Sequence, residues 1–450
     1  MSEPPPPVAT TASPVSASER VVTLDVVRGL AVIGILVMNI VEFGMPLRAY
    51  ENPRQWGGAE GADLWTWFVQ VALFDGKMRA LFSMLFGAGL VLITERMERA
   101  GRGAESADLL LRRCLWLAAF GVVHRFGLQW TGDILYMYGL LGLIAIAFRR
   151  WRPVPLLIAG VLCLGAFVPQ ALLQHAPMVK MRDQAAQAAV LEAEQKEVPQ
   201  ELRAAKENWD KRGKPPAADA HEKEIEAMRG DYVRVFGFRW NYHHMFQSNL
   251  LYYIFVWDVL GMMFLGMGLC RLGFFAGTMA RKWYVASIVF AVAGAAASFA
   301  WAWAVAAAGF SANSIDLRLW HDVLYPFVRG IVGLGWASVL ILLHRHGVLG
   351  WFTATLARVG RMAFSNYILQ TACCTLFFLG YGLGYYGHLS RAQTMLVWAG
   401  VTAIQIVFSW AWLALFRFGP LEWAWRSLCW WRWQPLLRRG EAPAPDAGGT

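Results

Sequence analysis

Charged residues are scarce in this 450-residue sequence, in which 16% of the residues are Asp, Glu, Lys or Arg and 57% are hydrophobic. This balance excludes an ordinary soluble domain, which needs more polar residues to cover its surface. A chain in lipid must satisfy its own backbone hydrogen bonds, which apolar helices do within one segment. The composition therefore predicts an all-α polytopic membrane protein.

Cysteine is also scarce, and no pair of the six has the spacing of metal ligands. All six lie in or beside apolar runs, and Cys373 and Cys374 are adjacent. We therefore expect small buried hydrophobic side chains, with neither disulfides nor a bound metal. Residues 1–20 are rich in Pro, Ser and Ala and lack an apolar core, so they predict a disordered cytoplasmic tail rather than a cleavable signal peptide.

Apolar runs long enough to cross a membrane occur ten times. They lie at about 24–44, 77–95, 110–128, 132–148, 154–174, 245–269, 283–309, 320–343, 360–381 and 394–416. Arginines concentrate in the even-numbered loops and after the tenth run, so the positive-inside rule predicts that both termini are cytoplasmic in a bacterial inner membrane. These loop positions also account for the net charge of +10, which therefore does not indicate a nucleic-acid partner.

The segment 175–243 lacks the apolar character of its surroundings and is rich in Ala, Glu, Gln and Lys. Pro199 and the Gly-Lys-Pro-Pro sequence at 213–216 divide it into helices. On this topology it is a helical extracytoplasmic insertion, either a solvated hairpin or a binding arm. It would separate spans 1–5 at 21–174 from spans 6–10 at 244–418, and 419–450 would form a cytoplasmic tail.

The first apolar run carries three polar residues that share one helix face. Asp25 and Arg28 are three residues apart and are therefore neighbours on a helix surface. Asn39 follows Arg28 by eleven residues, or about three turns and a rise on the order of 16 Å. Because a charge in lipid is costly, this polar stripe should face the protein interior.

Five motifs together resemble the YeiB-like family of bacterial membrane proteins, catalogued as a domain of unknown function, and the resemblance runs end to end. They are LDxxRG at 24–29 with Asn39, FDGKMRALFSMLFGAG at 74–89, His124 followed by WTGDIL at 130–135, GRMAFSNY at 360–367, and GPLEWAWR at 419–426. Together these motifs are specific, whereas any one alone is weak.

The first helix is also similar to that of transmembrane acyltransferases, a group that includes the acyltransferase-3 enzymes and the lysosomal heparan glucosaminide acetyltransferase. That resemblance implies transfer of an acyl group from acyl-coenzyme A (acyl-CoA). Acyltransferase-3 enzymes carry a His eleven residues after the Arg, where this sequence has Asn39. The lysosomal enzyme also has Asn there but uses a His shortly afterwards, and residues 40–62 of this chain contain no His.

His124 is the strongest candidate for the missing base, because an imidazole exchanges a proton near neutral pH. Asp133 would orient it across a short turn. The structural alternatives are that His124 caps a helix end or binds a headgroup and that Asp133 is the N-cap of the fourth span. An Asn amide is not a base, so Asn39 is expected to donate a hydrogen bond to an oxyanion or to position the substrate.

The candidate binding residues lie at both ends of the predicted bundle. On the cytoplasmic side Asp25, Arg28 and Arg361 would contact an acyl-CoA, because guanidinium groups suit its phosphates. On the outer side Lys77 and Arg79 would bind an anionic acceptor. The alternatives are an Asp25–Arg28 ion pair, positive-inside anchoring, and lysine and arginine side chains that snorkel to the interface.

Asp258, inside the sixth span, is either a functional carboxylate or part of a buried structural pair. The leading hypothesis for the chain is an acyltransferase that delivers the acyl group to a hydroxyl or amine of a cell-envelope acceptor, with membrane lipids around it. The alternative is a transporter or lipid-handling protein that uses the same polar path.

Overall fold

The computed structural model describes residues 21–213, 219–245 and 255–438, and within them the chain is helical, as predicted. The predicted tail at 1–20 lies outside the described residues. The α-helices are α1 Val22–Gly44, α2 Gly61–Val69, α3 Lys77–Arg99, α4 Ser106–Gly127, α5 Leu135–Ala147, α6 Pro153–Gly165, α7 Phe167–Ala193, α8 Gln200–Gly213, α9 Glu222–Met228, α10 Tyr232–Met245, α11 Val256–Arg271, α12 Arg281–Ala307, α13 Ile315–Arg345, α14 Gly350–Arg361, α15 Ala363–Phe378, α16 Arg391–Leu415 and α17 Pro420–Trp430.

Among the residues that the structure describes, six segments are long and apolar enough to cross a membrane, so the predicted count of ten spans is not confirmed. They are Val22–Gly44, Gly61–Arg99, Pro153–Ala193, Arg281–Ala307, Ile315–Arg345 and Arg391–Leu415. Other predicted spans correspond to shorter helices, such as α5 with 13 residues and α15 with 16. A straight crossing needs about 20 residues, so these helices have length for only part of the bilayer.

The boundary predicted at 174/175 falls inside a single helix, because α7 continues from the membrane segment into the polar insertion. Lys206 of α8 pairs with Glu192 of α7 at 2.7 Å, which folds the first half of the insertion into a hairpin. In the second half, α9 and α10 pack against the chain between α15 and α16 through a small core of Met228, Val235, Leu379 and Tyr386. The insertion is therefore a hairpin followed by two helices that cover one end of the bundle.

Helix α1 is the centre of the bundle, since 18 of its 23 residues are buried. We call the end of the bundle where α1 begins proximal and the end where it finishes distal. At the proximal end the Thr23 hydroxyl donates to the Phe275 carbonyl at 2.6 Å, so the α11–α12 loop lies there. At the distal end Arg182 of α7 pairs with Asp316 at the start of α13.

The second membrane segment is interrupted. A π-helical turn at Gln70–Phe74 follows α2, and Gly76 then adopts a left-handed φ of 66° before α3 begins. A Cβ at Gly76 would collide with the Tyr325 hydroxyl, so glycine meets both a conformational and a steric requirement. The break lies beside the middle of α1. Met78, in the first turn of α3, packs so closely against Gly34 of α1 that a Cβ at Gly34 would collide with the Met78 side chain.

Helices α1 and α14 approach so closely that their backbones touch. A Cβ at Gly29 would collide with the Leu356 carbonyl oxygen, and one at Gly360 would collide with that of Asp25. Small residues allow such contacts in membrane bundles, where dispersion replaces the hydrophobic effect as the driving force.

We expect Gly360→Ala to lower the melting temperature of the purified protein, because a rigid backbone contact cannot yield and overpacking costs about 1–3 kcal/mol. Gly400→Ala is the matched control, since Gly400 lies within α16 with no atom within 4 Å of the added Cβ. Thermal unfolding in one detergent measures both variants. Equal melting temperatures would contradict the close contact between α1 and α14.

Candidate functional site

Three side chains from three parts of the chain form a buried hydrogen-bonded line. His124 lies in the last turn of α4, Asp133 in the α4–α5 connection and Thr371 in the middle of α15. The Nδ1 atom of His124 is 2.7 Å from Oδ1 of Asp133, and its Nε2 atom is 2.9 Å from the Thr371 hydroxyl. The three residues are 2%, 0% and 1% exposed. The line therefore lies inside the bundle rather than at its surface.

The α4–α5 hairpin brings Asp133 back to His124. A Cβ at Gly121 would collide with the Tyr136 backbone nitrogen, so this glycine lets the two helices meet. The second carboxylate oxygen of Asp133 accepts a hydrogen bond from that Tyr136 N–H at 2.9 Å. Asp133 thus contacts the imidazole with one oxygen and the first turn of α5 with the other, while Ile134 is the N-cap residue of that helix.

The distal end of α1 holds this site through aromatic and polar contacts. Phe43 stacks on Trp130 with ring centroids 3.9 Å apart, and the Trp130 indole N–H donates to the Tyr367 hydroxyl at 3.1 Å. The Tyr367 ring packs edge-on against His124 at 5.1 Å. The Thr131 hydroxyl donates to Glu42. The first helix therefore reaches the site through Phe43 and Glu42.

A proximal cavity of about 290 Å³ opens between α1, α3, α4, α5, α14, α15 and α17. Its lining is mostly apolar, but four arginines contribute to it: Arg28, Arg113, Arg361 and Arg426. Toward the middle of the bundle it is lined by Leu135, Tyr138 and Tyr367. Since Tyr367 packs against His124, one aromatic ring separates the cavity from the buried line.

Local contacts hold the polar wall of this cavity. Arg28 pairs with Asp25 at 3.0 Å, which was the structural alternative for these two residues, and Arg361 donates to the Arg417 carbonyl at 3.2 Å. The guanidinium of Arg113 lies 4.0 Å from the Trp425 ring centroid. These contacts fix cationic groups beside an apolar interior.

Glu422 is the acidic member of the cavity lining. Its carboxylate accepts hydrogen bonds from the Phe364 and Ser365 N–H groups at 2.7 and 3.2 Å, so it caps the start of α15. Burial raises the pKa of the Glu422 carboxyl, with the Ser365 hydroxyl and the backbone N–H groups acting in the opposite direction. Helix α17 therefore fixes one end of the helix that carries Tyr367 and Thr371.

Lys77 and Arg79 lie away from this cavity, beside the helix break. Arg79 and Arg329 each bind one carboxylate oxygen of Asp258, so the buried Asp258 carboxylate forms two ion pairs. Lys77 is 1% exposed, and its ammonium group donates to the Val71 carbonyl at 2.6 Å. Both cations, which the sequence predicts to bind an anionic acceptor, therefore have partners within the protein.

A smaller distal cavity of about 20 Å³ lies beyond Thr131 and has room for about one water molecule. It is lined by Glu42, Leu47, Thr131, Glu224, Met228, Phe238, Arg239, Tyr242 and Tyr386. Glu224 of α9 accepts from the Leu47 N–H and the Tyr386 hydroxyl, both at 2.9 Å. The insertion therefore closes this end of the site.

His243 lies near this distal end in α10, and its side chain is buried. Burial, followed by the charges of Arg125 and Arg239, lowers the pKa of His243 to about 3. This imidazole is therefore neutral at physiological pH. No cluster of three or more His, Cys, Asp or Glu suited to a metal ion occurs among the residues that the structure describes.

Asn39 is half-buried on α1, one turn before Glu42, and lines neither cavity. The site also contains residues that sequence reasoning did not select, notably Thr371, Tyr367, Glu42 and Arg113. A signal for Thr371 was present, because Gln370 and Thr371 interrupt the apolar run of α15. Polar side chains in such a run usually face a protein interior.

The fold and the site define a helical membrane protein whose amphipathic cavity ends beside a buried His–Asp–Thr line. The chain belongs to the YeiB-like family. It is 30% identical to the uncharacterized protein YxaH of Bacillus subtilis (strain 168), with 95% of this chain and 98% of YxaH covered. It is also 30% identical to the uncharacterized protein YeiB of Escherichia coli (strain K12), with 91% and 96% covered.

The segment 269–432 matches the family described as Protein of unknown function (DUF418). That segment includes Arg329, Arg361, Tyr367, Thr371 and Glu422, so it covers the α15 side of the site but not His124 or Asp133. No solved structure matches the chain.

We expect Asp258→Asn to destabilise the protein strongly, because the change leaves the buried Arg329 and the half-buried Arg79 without a carboxylate. Breaking a buried ion pair typically costs about 3–5 kcal/mol. Asp316→Asn is the matched control, since Asp316 pairs with Arg182 while its side chain is 73% exposed, and such surface pairs contribute about 0–1 kcal/mol. Thermal unfolding compares the two variants. A larger decrease in melting temperature for Asp316→Asn than for Asp258→Asn would contradict the expected cost of breaking the buried pair.

Proposed function

We propose that this protein is a transmembrane acyltransferase that moves an acyl group from acyl-CoA to a hydroxyl or amine acceptor of the cell envelope. The observation that carries the proposal is the alignment of the proximal cavity with the buried line. Arginines and an apolar lining share one cavity, and Tyr367 at its inner end packs on His124. A charged, phosphorylated donor with an apolar arm requires this combination.

The donor is proposed to enter from the proximal end. Guanidinium groups form paired hydrogen bonds with phosphate oxygens, so Arg28, Arg113 and Arg361 suit the phosphates of coenzyme A. The apolar interior suits the thioester arm and the acyl chain. A cavity of about 290 Å³ is too small for the whole donor, so the nucleotide would remain at the arginine-lined opening.

His124 is the proposed base for the acceptor's proton. The Asp133 carboxylate accepts the Nδ1–H of His124, which leaves Nε2 as the proton acceptor. Asn39 remains a candidate to position the substrate or to donate to an oxyanion. The acceptor is proposed to approach from the distal end, where Glu42, Thr131 and Glu224 line the small cavity.

The alternative proposal is a transporter or lipid-handling protein, and one observation favours it. The second membrane segment is broken beside Lys77, Arg79, Asp258 and Arg329, and broken helices with buried charges form substrate sites in transporters. Substrate flux across vesicles without covalent change would support this function over acyl transfer.

We propose that the proximal end faces the cytoplasm of a bacterial cell, because the arginine-rich loops lie there. Single cysteines replacing Val190 and Thr278 in a cysteine-free background test this topology, since both positions are exposed and lie beyond opposite ends of the bundle. A membrane-impermeant thiol reagent should label residue 190 in spheroplasts and residue 278 only after lysis. Labelling of both sites in intact spheroplasts would contradict the topology.

We expect Arg28→Lys and His124→Ala to separate binding from chemistry in purified protein. Arg28→Lys should weaken acyl-CoA binding, because an ammonium lacks the planar fork that guanidinium offers to phosphate. His124→Ala should retain binding but reduce acyl transfer by about 10²–10⁴, the range for loss of a general base. Calorimetry with acetyl-CoA and release of free coenzyme A measure the two effects.

Each variant has a control at the same end of the molecule. Arg358→Lys replaces a proximal arginine that stacks on Trp410 outside the cavity, and His388→Ala removes an exposed distal histidine. Both controls should behave as the wild type. Absence of acyl-CoA binding by the wild type would overturn the proposal, and full transfer by a folded His124→Ala variant would remove His124 as the base.

A further inference from the structure

We propose that Asp133, His124 and Thr371 form a catalytic triad in which the Thr371 hydroxyl is the nucleophile that carries the acyl group between donor and acceptor. The inference rests on the proposed acyltransferase function and adds a covalent acyl-threonine intermediate to it. The chain would then use two half-reactions, one with the thioester and one with the acceptor. Donor and acceptor need not occupy the protein together.

The hydrogen-bond order is that of a nucleophile, a base and an orienting carboxylate. The two oxygens of Asp133 accept from the Nδ1–H of His124 at 2.7 Å and from the Tyr136 N–H at 2.9 Å. With the proton on Nδ1, the Nε2 atom of the neutral imidazole is an acceptor. The Thr371 hydroxyl, 2.9 Å away, is therefore the donor to Nε2.

The competing partner of Thr371 is weak. Its hydroxyl is 3.5 Å from the Tyr367 carbonyl one turn earlier in α15, which is the limit for a hydrogen bond. The contact with His124 is 0.6 Å shorter, from the difference between 3.5 and 2.9 Å. The imidazole is therefore the better acceptor for the proton that a nucleophilic Thr371 must lose.

The triad lies between the two cavities. Tyr367 lines the proximal cavity and precedes Thr371 by one helical turn, a rise of about 6 Å. On the other side, Thr131 lines the distal cavity and lies two residues before Asp133. An acyl group on Thr371 would thus be reached from the donor cavity by displacement of Tyr367 and from the acceptor end beside Thr131.

The chemistry balances in both half-reactions. The Thr371 oxygen attacks the thioester carbonyl carbon while its proton passes to His124 Nε2, and the carbon–sulfur bond breaks as the coenzyme A sulfur takes that proton. The acceptor hydroxyl or amine then gives its proton to Nε2 and attacks the ester carbonyl carbon. The Thr371 oxygen leaves and recovers a proton from Nε2, so the triad returns to its starting state.

Burial protects such an intermediate. Since all three residues are at most 2% exposed, bulk water has little access to the acyl-threonine ester, and hydrolysis would compete poorly with transfer. A purely structural explanation assigns Thr371 the task of satisfying a buried imidazole nitrogen, whose loss of a partner costs about 1–3 kcal/mol. That explanation predicts no covalent adduct.

The test is to trap the adduct with acetyl-CoA as the probe. Full-length protein in lipid nanodiscs is mixed with the probe without acceptor, quenched in acid within seconds, and examined by intact mass and peptide mapping. We expect the mass of one acetyl group on the wild type, mapped to Thr371. Thr371→Ser should retain labelling, whereas Thr371→Val, which keeps the shape but loses the hydroxyl, should lose labelling and reduce transfer by about 10³ or more.

Thr375→Val is the matched control, because Thr375 is also a buried threonine of α15 but donates to the Ala372 carbonyl. It should label and transfer like the wild type. Transfer that persists in Thr371→Val, or an adduct on another residue, would overturn the triad while leaving the acyltransferase proposal intact. A wild type that neither binds nor transfers from acetyl-CoA or palmitoyl-CoA would overturn both.

Discussion

The structure depends on shielding one polar helix from lipid. Helix α1 carries Asp25, Arg28, Asn39 and Glu42 along an apolar segment, and a charge exposed in hydrocarbon costs at least about 2.5–3.5 kcal/mol. The bundle meets this constraint by surrounding α1. In the most apolar 18-residue stretch of α1, 83% is buried, whereas the corresponding share for α12 at the periphery is 11%. Contacts of Gly29 and Gly360 bring α14 against α1. Arg361 of α14 and Arg28 of α1 therefore line the same proximal cavity.

The same constraint explains why the site lies where it does. A buried imidazole and carboxylate require partners, and the chain supplies them from α4, α5 and α15 rather than from one element. Thr371 and Tyr136 complete the bonds of His124 and Asp133, and Phe43 and Glu42 connect the group to α1. The site is thus built where three helices already have to pack.

The polar groups fall into two clusters with different surroundings. The Arg79–Asp258–Arg329 cluster has two guanidinium groups in direct contact with one carboxylate, as expected of groups that fix the positions of α3, α11 and α13. The His124 group instead lies between two cavities, one wide and lined by arginines, the other narrow and lined by two carboxylates. The first cluster therefore joins three helices, whereas the proposed acyl transfer uses the position of the His124 group between two cavities.

The sequence by itself determined the helical membrane class and the polar stripe of α1, because hydropathy and helical periodicity are local properties. Its motifs indicated the family, and the Asp25–Arg28 pair was one of two alternatives that it left open. It also identified His124 and Asp133, which lie nine residues apart on either side of one turn. The tertiary structure alone decided that Thr371, 247 residues after His124, is its partner. It also decided that Lys77 and Arg79 bind within the protein and that six segments of the described part of the chain are helices of spanning length. These outcomes depend on contacts between distant segments and on where helices bend and end, which packing determines.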